Sequence, residues 1–303
     1  MCILDAFLSN YVQNIIIVVS INMIVVIGLS VLTGFTRLFS FGQAGFMSIG
    51  AYASAILTTR LHFPFIVAII AGAIVAGVIA YLLGSLTLKL KGDYFLIVTL
   101  GFGICVKVLF EYVKITGGAK GFSGIPQHTT LPIAVGSAVA AFVLAWTLVH
   151  SKYGRNFTAI REQEMAAEAV GVQTIKNKKL AFVFSAVLAG WAGALYAHNL
   201  TFLAPKIFDL PRSSEYIITV IIGGMGSLTG SVLGSAVITL VPELFRSLSN
   251  YRMLFYGLTV VVIIMVRPSG ILGYKEFSLK KSIAGIKRIP QRLKSKRRGD
   301  LEV

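Results

Sequence analysis

Few residues in this 303-residue chain are spaced for bond-making chemistry. The glycine runs at 117–121 and 223–230 lack a following Lys-Ser/Thr. They are therefore not phosphate loops, in which that lysine and hydroxyl hold phosphate and magnesium. His62, His128, His150 and His198 are scattered, and no HExxH or Cys/His cluster has metal-ligand spacing. Cys2 and Cys105 lie in different segments and suggest no disulfide framework. Serines and threonines are frequent, but no His–acid pattern accompanies them to activate one as a nucleophile. We expect no catalytic residue, no metal and no directly bound cofactor. What remains is polarity in unusual places: small and polar residues interrupting apolar runs, and charged residues at helical spacing in one polar loop. Such residues serve recognition, passage and mechanical coupling.

The elements that carry them are set by composition. The chain is 56% hydrophobic and 13% charged, with a mean hydropathy of +0.81. Soluble domains are about 25% charged, and a soluble fold of this length cannot hide so much apolar surface. The apolar runs are continuous and close to the ~20 residues a helix needs to cross a bilayer. They lack the alternation of barrel strands. The expected fold is an all-α polytopic membrane protein with about eight hydrophobic segments: 11–33, 42–59, 64–88, 94–113, 131–149, 180–203, 215–241 and 253–267. No basic residue precedes Tyr11, so the first run is expected to be a span, not a cleaved signal.

Charge sets the expected orientation. The net charge is +16, but the bases lie between apolar runs, the pattern of a topology signal and not of a nucleic-acid surface. Basic residues are dense in the loop 150–179 and from Arg267 onward, which places both on the cytoplasmic side. Alternation then puts the N-terminus outside and the basic tail, 274–303, inside, near anionic lipid. The region 1–273 forms the membrane domain. Parity fails unless one segment does not cross. Segment 215–241 has a turn-rich centre, so we expect two half-helices that meet at a break and return to the outer face. One tilted helix is the open alternative. Non-helical backbone at membrane depth is tolerated where it is buried in protein or lines a cavity. Gly223, Gly224, Gly226 and Ser227 are thus candidate translocation residues. The stretch 34–50 has a similar look and suggests a broken start to segment 42–59. Its Gly42, Gln43 and Gly45 are candidates too, with interhelical hydrogen bonding the other role open to Gln43.

In the polar loop, Arg161 to Ala169 is rich in helix formers and Gly171 is placed to end a helix. Glu164 and Glu168 share a face, and Arg161 is spaced to brace Glu164. Met165, Ala166 and Ala169 form an apolar stripe beside them. Such a helix fits a groove on a soluble partner or lies on the membrane surface.

The stretch EMAAEAVG, 164–171, resembles the EAA-and-glycine loop of bacterial ABC importer permeases. LKLKGDYFLIVTLGFG (88–103), TGGAKGFSGIP (116–126), YGRNFTAIRE (153–162), GGMGSLTGSVLG (223–234) and RPSGILG (267–273) resemble, in that order, branched-chain amino-acid permeases of the LivM type. The resemblance implies an importer permease bundle in the bacterial inner membrane. It implies a second, homologous permease, two ATP-binding subunits that consume the ATP, and a periplasmic or lipid-anchored binding protein. It makes Arg161, Glu164, Ala166, Ala167 and Gly171 the coupling helix, with Glu164 pairing into the ATPase groove. One departure is Cys105, where relatives often carry an acid; nearby, Lys107 and Glu111 are spaced to pair. Urea or short amides as substrate, and a stand-alone channel or secondary transporter, remain the alternatives.

Overall fold

A computed structural model describes residues 10–89 and 94–244, with Gly257, Val260, Val261, Met265 and Gly270. Most of the expected segment 253–267, and the whole tail 274–303, lie outside the described residues. The described chain is almost entirely helical. In order come α1 (Asn10–Thr36), α2 (Gln43–Arg60), α3 (Phe65–Thr87), α4 (Tyr94–Tyr112) and α5 (Leu131–His150). Two short helices, α6 (Lys152–Glu162) and α7 (Glu164–Ala169), precede α8 (Thr174–Leu200), α9 (Leu210–Gly223) and α10 (Leu228–Leu244). The strands β1 (Phe122–Ser123) and β2 (Phe202–Leu203) pair antiparallel at one end.

Five of these helices, α1, α3, α4, α5 and α8, are long and apolar enough to cross a membrane. These are the spans among the described residues, and the expected count of about eight hydrophobic segments is not confirmed. α2 carries Gln43, Ser48, Ser54 and Thr58 and is mostly buried inside the bundle. Segment 215–241 is divided between α9 and α10. α8 starts at Thr174, earlier than expected, so Lys176, Lys178 and Lys179 belong to its first turns. Lys179 manages this by lying over the Tyr81 ring, 4.6 Å from its centroid, and donating to Ser85 Oγ at 2.9 Å. A long aliphatic stem lets a lysine head reach a polar site in this way.

The burial pattern is that of a protein in lipid. In α5 the buried residues are Ala134, Ala138, Ala141 and Ala145, one narrow stripe, while Val139 and Val143 face outward. In α3 Gly72, Ala76, Gly77 and Ala80 are buried, while Ile66, Ile70, Ile74 and Val78 are exposed. Large apolar groups outside and small ones inside suit a solvent of hydrocarbon, where close backbone packing drives helix association.

α8 is the centre of that packing, with α1, α2 and α3 around it. A Cβ on Gly193 would sit 1.9 Å from the Met47 carbonyl of α2, and one on Gly50 would sit 2.2 Å from the Gly190 carbonyl. α3 joins the seam at Gly72, whose added Cβ would meet the Gly50 carbonyl at 2.7 Å. α1 is buried over most of its length, with Ile21, Ile24, Ile27, Leu29 and Leu32 fully enclosed.

The bundle has two ends. The loop end gathers Thr36–Phe39, Leu88–Lys89, Phe95–Leu96 and the α6–α7 region around one cleft. The ribbon end gathers β1 and β2, with Thr129 donating to the Leu195 carbonyl at 2.9 Å and His198 Nδ1 3.0 Å from the Pro126 carbonyl. The latter bond ties His198 to the loop before α5.

The seam makes a sharp prediction. Gly193→Val forces α2 and α8 apart, an overpacking cost of about 1–3 kcal/mol or more. The variant should lose several degrees of melting temperature in detergent. Gly136→Val on α5, where an added Cβ meets nothing within 4 Å, should not.

Candidate functional site

At the loop end the expected single helix over 161–170 is two helices. Gln163 between them is extended, with φ −158° and ψ 108°. α6 is capped by Ser151, whose Oγ accepts from the Tyr153 amide at 3.1 Å, and it buries Gly154, Phe157 and Ile160. The break separates Arg161 from Glu164. Arg161 bonds Glu162 instead, at 2.9 Å, and Glu164 forms an ion pair with Lys178 of α8. Glu168 accepts from Thr174 Oγ1 at 2.5 Å. The two glutamates do share a face, as their four-residue spacing requires. That face is turned back onto α8, where Thr174 and Lys178 have the same spacing. The expectation that Arg161 braces Glu164 is thus corrected, and Glu164 already has a partner within the chain.

This clamp decides what α7 exposes. Ala167 is buried at 3%, while Met165 and Val170 are 80% and 79% exposed and Ala166 lies on the open side with them. Gly171 ends α7 at φ +85°, the left-handed conformation expected of a helix-terminating glycine. Beside the clamp lies a cleft of about 820 Å³ lined by Arg37, Lys89, Arg161, Glu164 and Met165 among others.

The break in 215–241 falls where the glycines suggested. α9 ends at Gly223, Gly224 and Gly226 have φ of 113° and 93°, and α10 starts at Leu228. Ser227 Oγ accepts from the Gly230 amide at 3.0 Å. The two helices fold back on each other: a Cβ on Gly223 would meet the Gly230 carbonyl at 2.5 Å, and one on Gly234 the Thr219 carbonyl at 2.8 Å. The tip packs against Gly34 near the loop end of α1, where an added Cβ would lie 2.6 Å from the Gly226 nitrogen. Gly223, Gly224, Gly226 and Ser227 thus build the turn of a hairpin.

Gly42, Gln43 and Gly45 sit at the start of α2, after a non-helical stretch at 37–42. Gly42 and Gly45 pack on α4, 3.3 Å from the Thr99 carbonyl and 3.2 Å from Gly103 Cα at their notional Cβ positions. Gln43 is fully buried and donates to Ser185 Oγ of α8 at 2.9 Å. The two glycine-rich groups are not brought together into one site.

The structure places a different polar cluster inside the bundle. Arg212, in the first turn of α9, donates to Glu215 at 2.9 Å, to Asn22 Oδ1 of α1 at 2.9 Å and to the Tyr216 hydroxyl at 3.2 Å. Asn22 Nδ2 in turn donates to Thr239 Oγ1 of α10 at 3.2 Å. These residues line a cavity of about 540 Å³ between α1, α9 and α10. Just before α9, Asp209 caps it through the Leu210 amide at 2.8 Å and pairs with Lys107 at 2.6 Å. Lys107 therefore pairs with Asp209, not with Glu111 as its spacing suggested.

The family described as branched-chain amino acid transport system / permease component matches residues 11–266. This chain belongs to that family. The permease is 31% identical over 295 residues to the high-affinity branched-chain amino acid transport system permease protein LivM of Salmonella typhimurium, covering 86% of this chain and 69% of that one. It is 25% identical over 175 residues to LivH of the same organism, covering 57% and 56%. A solved structure, PsaBC from Streptococcus pneumoniae in complex with Fab, is similar at 17% identity and a TM-score of 0.46, over 87% of this chain and 93% of that one.

The expected apolar segments 180–203 and 215–241 leave Arg212 in the connection between them, so sequence spacing missed its cluster. The available signal was Arg212, Glu215 and Tyr216 at helical spacing, directly before an apolar hairpin. For Gln43 the permease offers a clean test. Replacing both members of a buried hydrogen bond by apolar groups is close to neutral. Gln43→Leu with Ser185→Ala should keep stability within about 1 kcal/mol and keep uptake. A folded double variant that no longer transports would give Gln43 a role in passage.

Proposed function

We propose that this permease is the membrane-spanning subunit of an ATP-driven ABC importer for branched-chain amino acids. A second, homologous permease completes the pathway. Two ATP-binding subunits engage the α6–α7 region and hydrolyse the ATP, and an extracytoplasmic binding protein delivers substrate at the ribbon end. The loop end faces the cytoplasm and the N-terminus lies outside, in a bacterial inner membrane.

The observation that carries this reading beyond family membership is the presentation of α7. A six-residue helix is too short to be stable alone. Here the Glu164–Lys178 and Glu168–Thr174 contacts hold it against α8 and leave Met165, Ala166 and Val170 outward. An exposed apolar edge on a clamped short helix suits docking in a groove on a soluble partner. ATP-driven closure of the partner then acts on the edge of α7, and the clamp passes the displacement into α8. Ala166 keeps the approach to the partner close, the buried Ala167 faces into the bundle and not the partner, and Gly171 permits the turn into α8.

The experiment compares Glu164→Lys, Lys178→Glu and the charge swap Glu164→Lys/Lys178→Glu in the assembled transporter. Each single variant puts like charges together and should cut coupled leucine uptake about five-fold or more, with ATP hydrolysis no longer tied to substrate. The swap should recover most of the loss. A swap as poor as Glu164→Lys would instead put Glu164 in direct contact with the ATPase. Full uptake in all three, or uptake by this chain alone without ATP, would remove the coupling assignment.

A further inference from the structure

Arg212 and Glu215 sit three residues apart on one helix, so their bond joins no two elements of the fold. They also sit deep. Asn22, which Arg212 binds, lies about 18 Å along α1 from its Asn10 end and about 21 Å from its Thr36 end, at 1.5 Å per residue. Ionised side chains at such depth are costly and mark pathways. Both side chains border the cavity between α1, α9 and α10, with 25% and 40% of their surfaces exposed. Arg212 uses three of its five N–H donors on Glu215, Asn22 and Tyr216. The remaining walls are mixed: Val26, Ile218 and Ile238 are apolar, while Glu243, which accepts from the Tyr11 hydroxyl, is a second carboxylate. A volume of about 540 Å³ is in the range of small-molecule sites, about 300–1,000 Å³.

Resting on the amino-acid importer reading above, we propose that this cavity is a transient substrate site in which Arg212 binds the α-carboxylate, Glu215 binds the α-ammonium, and the apolar wall takes the branched side chain. The charge arithmetic selects the ligand class. A zwitterion entering between the Arg212 guanidinium and the Glu215 carboxylate turns one ion pair into two and leaves the net charge of the cavity unchanged. A ligand with a single charge leaves one member of the pair unmatched. A neutral amide or urea offers nothing that competes with the existing bond. The site sits at the start of a half-helix of 14 residues, about 21 Å long, against a hydrocarbon core of about 30 Å. Transporters commonly place substrate at such interrupted helices near half depth.

The test uses the assembled importer in proteoliposomes. Arg212→Gln and Glu215→Gln should each lower leucine uptake at least ten-fold, and the doubly neutral Arg212→Met/Glu215→Met should stay as low. Co-purification of the ATPase subunit shows that each variant is assembled. A second measurement reads occupancy in a protein that keeps the pair. Ser214, which lines the cavity, is changed to Cys in a Cys2→Ser/Cys105→Ser background and labelled with a small maleimide. Leucine during turnover should slow labelling several-fold, while isocaproate and isoamylamine, each with one of the two charges, should not. An assembled double variant with wild-type uptake, or labelling indifferent to leucine, would overturn the site and leave the importer reading intact. Absence of any amino-acid uptake by the wild-type assembly would overturn the importer reading itself.

Discussion

Everything in this bundle depends on how closely α8 approaches α2. At Gly193 and Met47, and again at Gly50 and Gly190, the helices meet backbone to backbone with no room for a methyl group. In lipid, apolar side chains gain little by leaving hydrocarbon for a protein interior, so helices associate through fit. Dispersion falls steeply with separation, and the seam keeps separation minimal. α3 reaches the same seam through Gly72, and α1 packs along α8, so three helices take their position from one. Polar contacts then fix register. Gln43 binds Ser185 and, toward the ribbon end, Asn199 binds Asn14 of α1 at 3.0 Å.

Around that centre two of the departures from simple spans among the described residues use different devices. The α9–α10 hairpin turns on glycines that allow both positive φ and tight contact between its arms. Its tip rests on Gly34 of α1, and Gly270 lies against Gly224 there, with a notional Cβ 2.5 Å from Gly224 Cα. The α6–α7 joint instead uses one extended residue between two short helices and relies on α8 for support. The first device leaves a half-length helix that begins at the depth of the Arg212 cluster. The second presents a small apolar edge at the end of the bundle.

What was legible in the sequence follows from range. Apolar runs report helices because length and composition are local properties, and α1, α3, α4 and α5 lie within a few residues of their expected bounds. The hairpin break was legible because glycine density is local too. The partners of charged residues were not. Spacing proposed Arg161 with Glu164 and Lys107 with Glu111, yet the actual partners are Glu162, Lys178 and Asp209. Two of these bonds join residues far apart in the chain, which no spacing rule can reveal. Gln163 has no feature of a breaker, yet the extended backbone there turns α7 so that both glutamates meet partners on α8. Arg212 lies between two apolar runs, where a cation is expected to be in water, yet it sits in the first turn of α9 bonded to Asn22 of α1.

The joint at Gln163 also has a mechanical meaning. A continuous helix from Lys152 to Ala169 would act as a stiff lever rooted in α5, and a load at its tip would twist that helix. With an extended residue between α6 and α7, torque is not carried backward. The clamp to Thr174 and Lys178 gives α7 one firm attachment, to the first turns of a rod of 27 residues, about 40 Å long. In the proposed mechanism a push on α7 becomes an axial thrust on α8, the helix on which the glycine seam has locked its neighbours. In that mechanism the two act as crank and piston: one short helix hinged at Gln163 and pinned to α8, one long helix stiff enough to carry the stroke to the far side.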